Sequence, residues 1–589
     1  MKYRNDAMPQ TYTLKLAHIN DTHSHFDPSR VKFSLTNAGK KFDVYSHTGG
    51  YARIQHQLNQ AKIQAQQANQ DYIFLHGGDS FQGTLYFRQF KGVANAHLLN
   101  QLRPDAMVLG NHEIDAGNAP VLAFLNNINF PLLAGNMDLS REDAAKESPM
   151  SGHPRLLDYD SQTGRAKVLI KQLSDKPLAI VGITLDQMAD IARPDPDTYF
   201  VNAIETTKKT VEHLKAQGVD HIIVLSHLGL DQDRLLADAV DGISLIVGGH
   251  SHTLQGDFKP FGLSAISYGE RVNNTPILHA GKHAETLGLA DIEFNSTGQV
   301  TRLEGHNYFM LDEQFILESA QGVTAEDFIA IRAQLEQHPG ILWHQQDPQI
   351  VQIIASEYRP AIAAMDKQVL GFIPRDLVHT RLPSKALPHG SEIAPWVSKS
   401  IYHETKRIHP DVDFALHNAG GVRQSLSKGE LTLADVVGRL LPFDLPLVKY
   451  RILGLYLFET LESAINSATN NSVTGTGAGS FPYTYGLKYC YDGRKPQGKR
   501  ILTLEIMCPN SPQEKWLVID KEQHYVGVSS AYTASGKEGY HPLLKAQWQR
   551  PLEELTLPNA FIRFMKRERS LEQTLSPHVS YTSHREAKK

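Results

Sequence analysis

Cysteine is almost absent: Cys490 and Cys508 are the two in a chain of 589 residues. That scarcity excludes a disulfide-stapled scaffold and a structural zinc closed by several thiolates. The two lie in separate strand-like runs, Leu487–Tyr491 and Ile501–Met507, and a hairpin turning near Asp492–Arg500 would leave them out of register. Two free, mostly buried thiols are therefore expected, with a disulfide as the lesser alternative. Long apolar runs are lacking too, and none approaches the roughly 20 residues of a membrane span. Met1–Gln10 is polar and has no apolar core of the kind a secretion signal needs. The sequence as it stands reads as cytoplasmic; a periplasmic or secreted protein whose leader has been removed is the alternative. Nor is there an excess of one charge. Lys and Arg number 59 against 63 Asp and Glu, for a formal net charge of −4, which argues against nucleic acid or an anionic membrane as a bulk electrostatic partner. Internal repeats are not evident.

What is present is ligand chemistry at strand ends. Five short segments put metal-binding side chains directly after apolar runs: Asp21-Thr22-His23, Gly77-Gly78-Asp79, Gly110-Asn111-His112-Glu113, Ser226-His227 and Gly248-Gly249-His250-Ser251-His252. The runs that precede them are Leu14–Ile19, Tyr72–Leu75, Ala106–Leu109, His221–Leu225 and Ile243–Val247. Short apolar runs closed by glycine or polar residues have the signature of buried strands. Stretches such as Ala52–Gln70 and Ala203–Gln217 between them have that of helices. Ligands at the carboxyl ends of neighbouring strands in an α/β sheet converge on one crevice. Any one fragment is as well explained by a satisfied polar turn; the ordered set is not. Besides His112 and Glu113, the segments offer two carboxylates, one amide and four imidazoles, which suit two adjacent divalent cations. Two cations about 3.5–4 Å apart form a clamp for in-line displacement at phosphorus. A dinuclear metallophosphoesterase is the expectation.

The motifs resemble those of the 5′-nucleotidase family, in which a calcineurin-like metallophosphatase domain precedes a nucleotide-binding C-terminal domain; bifunctional UDP-sugar hydrolase/5′-nucleotidases are of this type. The similarity runs from about Lys15 to about Leu543. It implies an α/β chain with an N-terminal four-layer αββα domain, a connecting helix and a C-terminal α/β substrate-binding domain. It also implies that Asp21, His23 and His252 bind one metal, that Asn111, His227 and His250 bind the other, and that Asp79 bridges them. In Gly110–Asp115, His112 and Asp115 fall where the family has its catalytic His–Asp dyad. The chemistry is consistent with those roles. A carboxylate can bridge two cations, and a water shared by both loses its proton near neutral pH and becomes the nucleophile. His112, not itself a ligand, would stabilise or protonate the departing ester oxygen, with Asp115 orienting the imidazole. Capping of the following helix by Asp115 is the plainer alternative. Mixed N/O ligation leaves zinc, manganese, iron and cobalt open as the metal.

The resemblance extends to the second half. His417-Asn418-Ala419-Gly420-Gly421-Val422-Arg423 is similar to the family's Asn-x-Gly-Gly-x-Arg loop, where adjacent glycines expose N–H groups to an anion and an arginine grips phosphate. By that match Asn418, Gly420, Gly421 and Arg423 contact nucleotide, Phe443 and Tyr532 sandwich the base, and Glu538 stands for a family Asp that binds ribose hydroxyls. The chain departs from the family at Gly536-Lys537-Glu538-Gly539 and at Asp444, and the family's upstream arginine has no clear counterpart beyond Arg381 or Lys385. The run Gly475-x-Gly477-x-Gly479 lacks strand–helix context and is expected to be a flexible lead into Phe481.

The expected organisation is a metallophosphoesterase domain over 11–312, an insertion and linker helix over 313–365, a substrate-binding domain over 366–555 and a basic tail over 556–589. The stretch after strand-like Leu289–Phe294 is expected to turn charged and helical, and the tail to form a docked helix before a frayed end. Ile350, Ile353, Ile354, Tyr358 and Ile362 recur at helical spacing in the linker. The expected function is metal-dependent hydrolysis of nucleoside 5′-monophosphates, small-molecule substrates, to nucleoside and phosphate. Hydrolysis of UDP-sugars, dinucleotides or 2′,3′-cyclic nucleotides at the same site is the alternative, and a non-catalytic nucleotide-binding protein a third.

Overall fold

The computed structural model describes residues 11–586 except 175, 264, 444, 476 and 509–514. The Met1–Gln10 segment read for a secretion signal and Asp444 therefore lie outside the described residues. The chain divides into two compact units, Met1–Pro360 and Ala361–Lys589.

The first unit contains two large sheets. In one, the strands Tyr12–Ile19, Asp71–His76, Ala106–Val108, Leu132–Leu133 and Leu156–Leu157 run parallel, and Thr286–Phe294 and Val300–Leu311 add antiparallel beyond Tyr12–Ile19. In the other, Lys176–Thr184, His221–His227, Leu245–Val247 and Thr275–Leu278 are parallel neighbours. Side-chain alternation along a strand explains how the layers stack. On His221–His227, Ile223 and Leu225 join Leu14, Leu16, Ile73 and Leu75 of the first sheet in one core. Their neighbours Ile222 and Val224 face the other way, against Val211 and Leu214 of helix Ala203–Ala216 and Leu236 of helix Leu230–Ala239. Helix Tyr51–Gln67 covers the outer face of the first sheet at Tyr12–Ile19 and Asp71–His76. The result is helix, sheet, sheet, helix, and each fully buried Leu or Ile contributes about 1.5–3 kcal/mol.

Two expectations are corrected here. Val300–Leu311 is a strand of 12 residues rather than a helix, paired antiparallel with Thr286–Phe294. Its Arg302 donates to Glu293 across the pair and to Glu304 along its own strand, so cross-strand pairing sets this element where local composition points elsewhere. Nor does the tail fray where expected: Val579–Thr582 adds as a parallel strand to Tyr489–Asp492. The 313–346 segment contributes Ile316–Glu318 and Ile341–Trp343 as edge strands of sheets in the first unit.

The linker is helical from Pro348 to Asp366, interrupted by a π-helical turn at Ile354–Tyr358. The Asp347 carboxylate starts it by accepting from the N–H groups of Gln349 and Ile350 at 3.0 and 3.1 Å.

The second unit has a five-stranded sheet in the order Pro482–Tyr485, Phe414–Asn418, His524–Ser530, Pro446–Leu453, Trp548–Thr556. Helices Ala394–Ile408 and Leu557–Glu568 pack together, with Trp396 and Phe564 ring centroids 6.3 Å apart. Cys490 and Cys508 are free and half-buried.

Candidate functional site

The expected ligands all sit just beyond, or at the end of, parallel strands. Asp21 and His23 follow Tyr12–Ile19, Asp79 follows Asp71–His76, Asn111 follows Ala106–Val108, His227 ends its strand, and His250 and His252 follow Leu245–Val247. Five of them bend into the left-handed region: φ is +50° at Asp21, +47° at His23, +55° at Asp79, +74° at His250 and +55° at His252. Such conformations cost on the order of 1–3 kcal/mol each in residues with a Cβ and persist only where the surroundings impose them. Here the surroundings do. Asp21 N–H donates to the Gly78 carbonyl at 2.9 Å, His23 N–H to the Asp79 carbonyl at 3.0 Å, and His250 N–H to Asp21 Oδ2 at 2.9 Å. Gly110 is required by close approach, since a Cβ there would lie 2.1 Å from Asp79 Oδ1.

Donor atoms of Asp21, His23 and His252 lie within 4.8 Å of one another, as do those of Asp79, His227 and His250. Asn111 Oδ1 joins the second group, 2.9 Å from His250 Nδ1. The donors suit divalent cations. His227 Nδ1 donates to the Gly77 carbonyl at 2.7 Å, and His23 Nδ1 to the Phe81 carbonyl at 3.1 Å. A carbonyl only accepts, so Nδ1 of each ring carries a proton and Nε2 is the nitrogen left facing inward to serve as a ligand, the usual outer-shell arrangement of metal-binding histidines. His23 Nε2 then faces His252 Nε2 at 3.0 Å, and His227 Nε2 faces Asp79 Oδ2 at 3.3 Å. The field agrees. Burial would lower the His227 imidazole, but the charge of Asp79 and the contact with it outweigh burial and lift it to about 10. Burial, opposed by His227 and reinforced by Asp79, pushes the Asp21 carboxyl up to about 7. Burial and the charge of His227 lower the His250 imidazole to about 3.

His112 stands at its edge. Its Nδ1 meets Asp115 Oδ2 at 2.5 Å, and its Nε2 lies 3.9 Å from Asp79 Oδ2. Asp115 does not cap the next helix; Gly117 takes the N-cap position of Asn118–Asn127, and Asp195 accepts from Asn118 N–H at 3.2 Å.

In the second unit, Asn418 ends strand Phe414–Asn418, and Ala419–Gly421 form a single 3₁₀ turn. Asn418 Nδ2 donates to Glu538 Oε2 at 3.3 Å and to the Gly479 carbonyl at 3.4 Å. The Arg423 guanidinium carbon lies 5.6 Å from the Phe443 ring centroid, and Arg423 Nη1 donates to the Gly420 carbonyl at 3.4 Å. Gly421 packs against the buried His417 ring. Tyr532 is half-buried in the short helix Ala531–Ala534. Burial, opposed by Arg381, Asn418 and Arg423, pushes the Glu538 carboxyl up to about 7.

Residues 14–254 match the calcineurin-like phosphoesterase family, and 378–546 match the 5′-nucleotidase C-terminal domain. The chain belongs to the 5′-nucleotidase family. A probable 5′-nucleotidase of Treponema pallidum is 28% identical over 98% of this chain and 95% of its own length. The NAD 5′-nucleotidase of Haemophilus influenzae is 28% identical over 98% of this chain and 93% of its own. Among solved structures, a 5′-nucleotidase precursor from Thermus thermophilus superposes with a TM-score of 0.77 at 26% identity, covering 97% of this chain and 99% of the other. As a member of the 5′-nucleotidase family, the protein is a hydrolase of phosphoric esters; the calcineurin-like family uses divalent metal ions, and its nucleotidase relatives act on small nucleotides. Among the described residues no helix is long and apolar enough to cross a membrane.

The structure adds a histidine pair that sequence reasoning passed over and decides two points it raised. His25 stacks on His283 with centroids 4.2 Å apart, and the His283 ring lies 5.7 Å from His23 and 5.9 Å from His252. His25 was visible as the second imidazole of Asp21–His25; His283 had only its place after the Thr275–Leu278 strand. Arg381, not Lys385, is the upstream cation whose charge acts on Glu538. Gly479 is a wall of the Asn418 loop, packed on Gly420, rather than a loose lead into Phe481.

Proposed function

We propose that this protein hydrolyses nucleoside 5′-monophosphates to nucleoside and phosphate, with two divalent cations held in the first unit. The observation that supports it most is the convergence of Asp21, His23, Asp79, Asn111, His227, His250 and His252 beside a His112–Asp115 contact of 2.5 Å. In this reading Asp21, His23 and His252 would hold one cation and Asn111, His227 and His250 the other, with Asp79 available to both. When bound, such a pair supplies an acidified water and draws charge from the phosphoryl oxygens. His112 offers a proton or a hydrogen bond to the departing ester oxygen, and Asp115 fixes which ring nitrogen carries the proton. Domain 11–312 does the chemistry. Domain 366–555 recognises the nucleoside: Arg423 and the Gly420–Gly421 turn bind anionic oxygen, Glu538 accepts from ribose hydroxyls, and Phe443 and Tyr532 hold the base.

A dinucleotide pyrophosphate is the second reading, because the Haemophilus influenzae relative, alike over nearly the whole chain, is a NAD 5′-nucleotidase. UDP-sugars and 2′,3′-cyclic nucleotides are further candidates for the same chemistry. Phosphate and nucleoside release from AMP, NAD, UDP-glucose and 2′,3′-cyclic AMP, with added Mn²⁺ or with EDTA, separates these readings. Turnover of AMP that survives complete metal removal would reject the mechanism.

A further inference from the structure

Glu113 lies two residues after Asn111, is 1% exposed, and has no place among the proposed ligands or in the His112–Asp115 pair. Its carboxylate is fully occupied by main chain. Oε1 accepts from the N–H groups of Ser80 at 2.6 Å and Phe81 at 3.0 Å; Oε2 accepts from those of Asp79 at 3.0 Å and Gly110 at 2.9 Å. Three of these donors belong to the loop that carries Asp79, the fourth to the loop that carries Asn111. The two loops leave neighbouring parallel strands, Asp71–His76 and Ala106–Val108, whose pairing with each other ends at His76 and Met107 among the described residues. The tie is returned from the other side: Asp79 Oδ1 accepts from His112 N–H at 2.9 Å. Each carboxylate thus fastens the other's loop, and Asp79 is held at φ +55° while doing so.

The geometry points to Glu113 as a positioning residue that sets how tightly the Asp79 and Asn111 loops grip a divalent cation, an inference that rests on those two being ligands as proposed above. Four convergent N–H donors demand two acceptor oxygens on one rigid group. A glutamine at 113 offers one oxygen, and its NH₂ would confront two donors. An aspartate keeps both oxygens but is one methylene too short to reach both loops at once. Either change frees the loops to separate while leaving every proposed ligand in place. Outer partners of this kind are worth about 10–100-fold in metal affinity.

The test is calorimetric titration of the EDTA-stripped full chain with Mn²⁺, for wild type, Glu113→Gln and Glu113→Asp, with melting curves of each stripped protein. Glu113→Gln should bind the same number of ions as wild type, at least one of them about tenfold or more weaker, with a melting temperature for the stripped protein close to wild type. Glu113→Asp should fall between. Turnover of nitrophenyl phosphate should recover as Mn²⁺ is raised. Unchanged affinity in a folded Glu113→Gln overturns the inference. So does lost turnover that saturating Mn²⁺ cannot restore. If Glu113→Gln does not melt cooperatively, Glu113→Asp decides alone, and wild-type affinity there overturns the inference equally. Asp79→Asn run beside them separates the two levels of argument: undiminished Mn²⁺ uptake by that variant would remove Asp79 as a ligand, and the clamp with it.

Discussion

The ligand loops of the first unit and the glycine loop of the second were both written into short motifs, yet the structure treats them differently. The first cluster consists of the side chains its motifs contain, tightened by main-chain bonds. The second draws in partners from far along the chain: Gly479 and Glu538 on Asn418, Arg381 on Glu538. Cation binding dictates residue types, so the sequence advertises it. Recognition of a nucleoside is shared among main-chain groups, ring faces and dispersed charges, which many residue types supply.

That comparison can be broken by experiment. Asp79→Asn should do the most damage, lowering turnover by at least about 10³-fold, more than removal of a single positioned donor usually costs, with loss of at least one bound ion by elemental analysis. His112→Ala should keep its metals and lose about 10²–10⁴-fold against AMP. The loss should shrink for nitrophenyl phosphate, whose leaving group departs without a proton; equal losses on both would deny His112 that task. Phe443→Ala should spare the first unit altogether. KM for AMP and GMP should rise about tenfold or more, as expected from a lost stacking face of about 1–3 kcal/mol, while nitrophenyl phosphate turnover on the same preparation stays unchanged. Parallel losses with a lowered melting temperature would make Phe443 a core residue.

The smallest effect should come from pH. The Glu538 carboxyl is pushed up to about 7, so it accepts from ribose hydroxyls as a carboxylate above that pH and loses that capacity as pH falls through it. KM for AMP, but not for nitrophenyl phosphate, should therefore rise about fourfold between pH 8 and about 6.5, and Glu538→Gln should flatten the profile. A slope that persists in that variant would place the titration elsewhere.

The strands that carry ligands were legible because each is a short apolar run ended by glycine or a polar residue, as at Tyr72–Leu75 before Gly77-Gly78-Asp79. Val300–Leu311 was not, because its exposed face carries Thr301, Arg302 and Glu304 and its strand character comes from pairing with Thr286–Phe294. Val579–Thr582 is too short to signal itself without Tyr489–Asp492 beside it. Glu113 was visible in Gly110–Glu113 but looked like one more acidic side chain; only the loops around it disclose what it does. His283 depended on folding to acquire neighbours at all, and Arg381 was one of two candidates until folding set its charge on Glu538.

The left-handed backbone at Asp21, His23, Asp79, His250 and His252 has a consequence for anyone improving this protein. Glycine and asparagine adopt that conformation at least cost. Replacing any of the five with either relaxes the backbone and, at Asp21, whose carboxyl burial pushes up to about 7, also relieves a buried charge. A selection scored on heat tolerance alone, run without metal, would reward such changes and deliver hardier proteins that no longer turn over. Robustness and catalysis pull against each other at these five positions, so a useful campaign would fix them and search elsewhere.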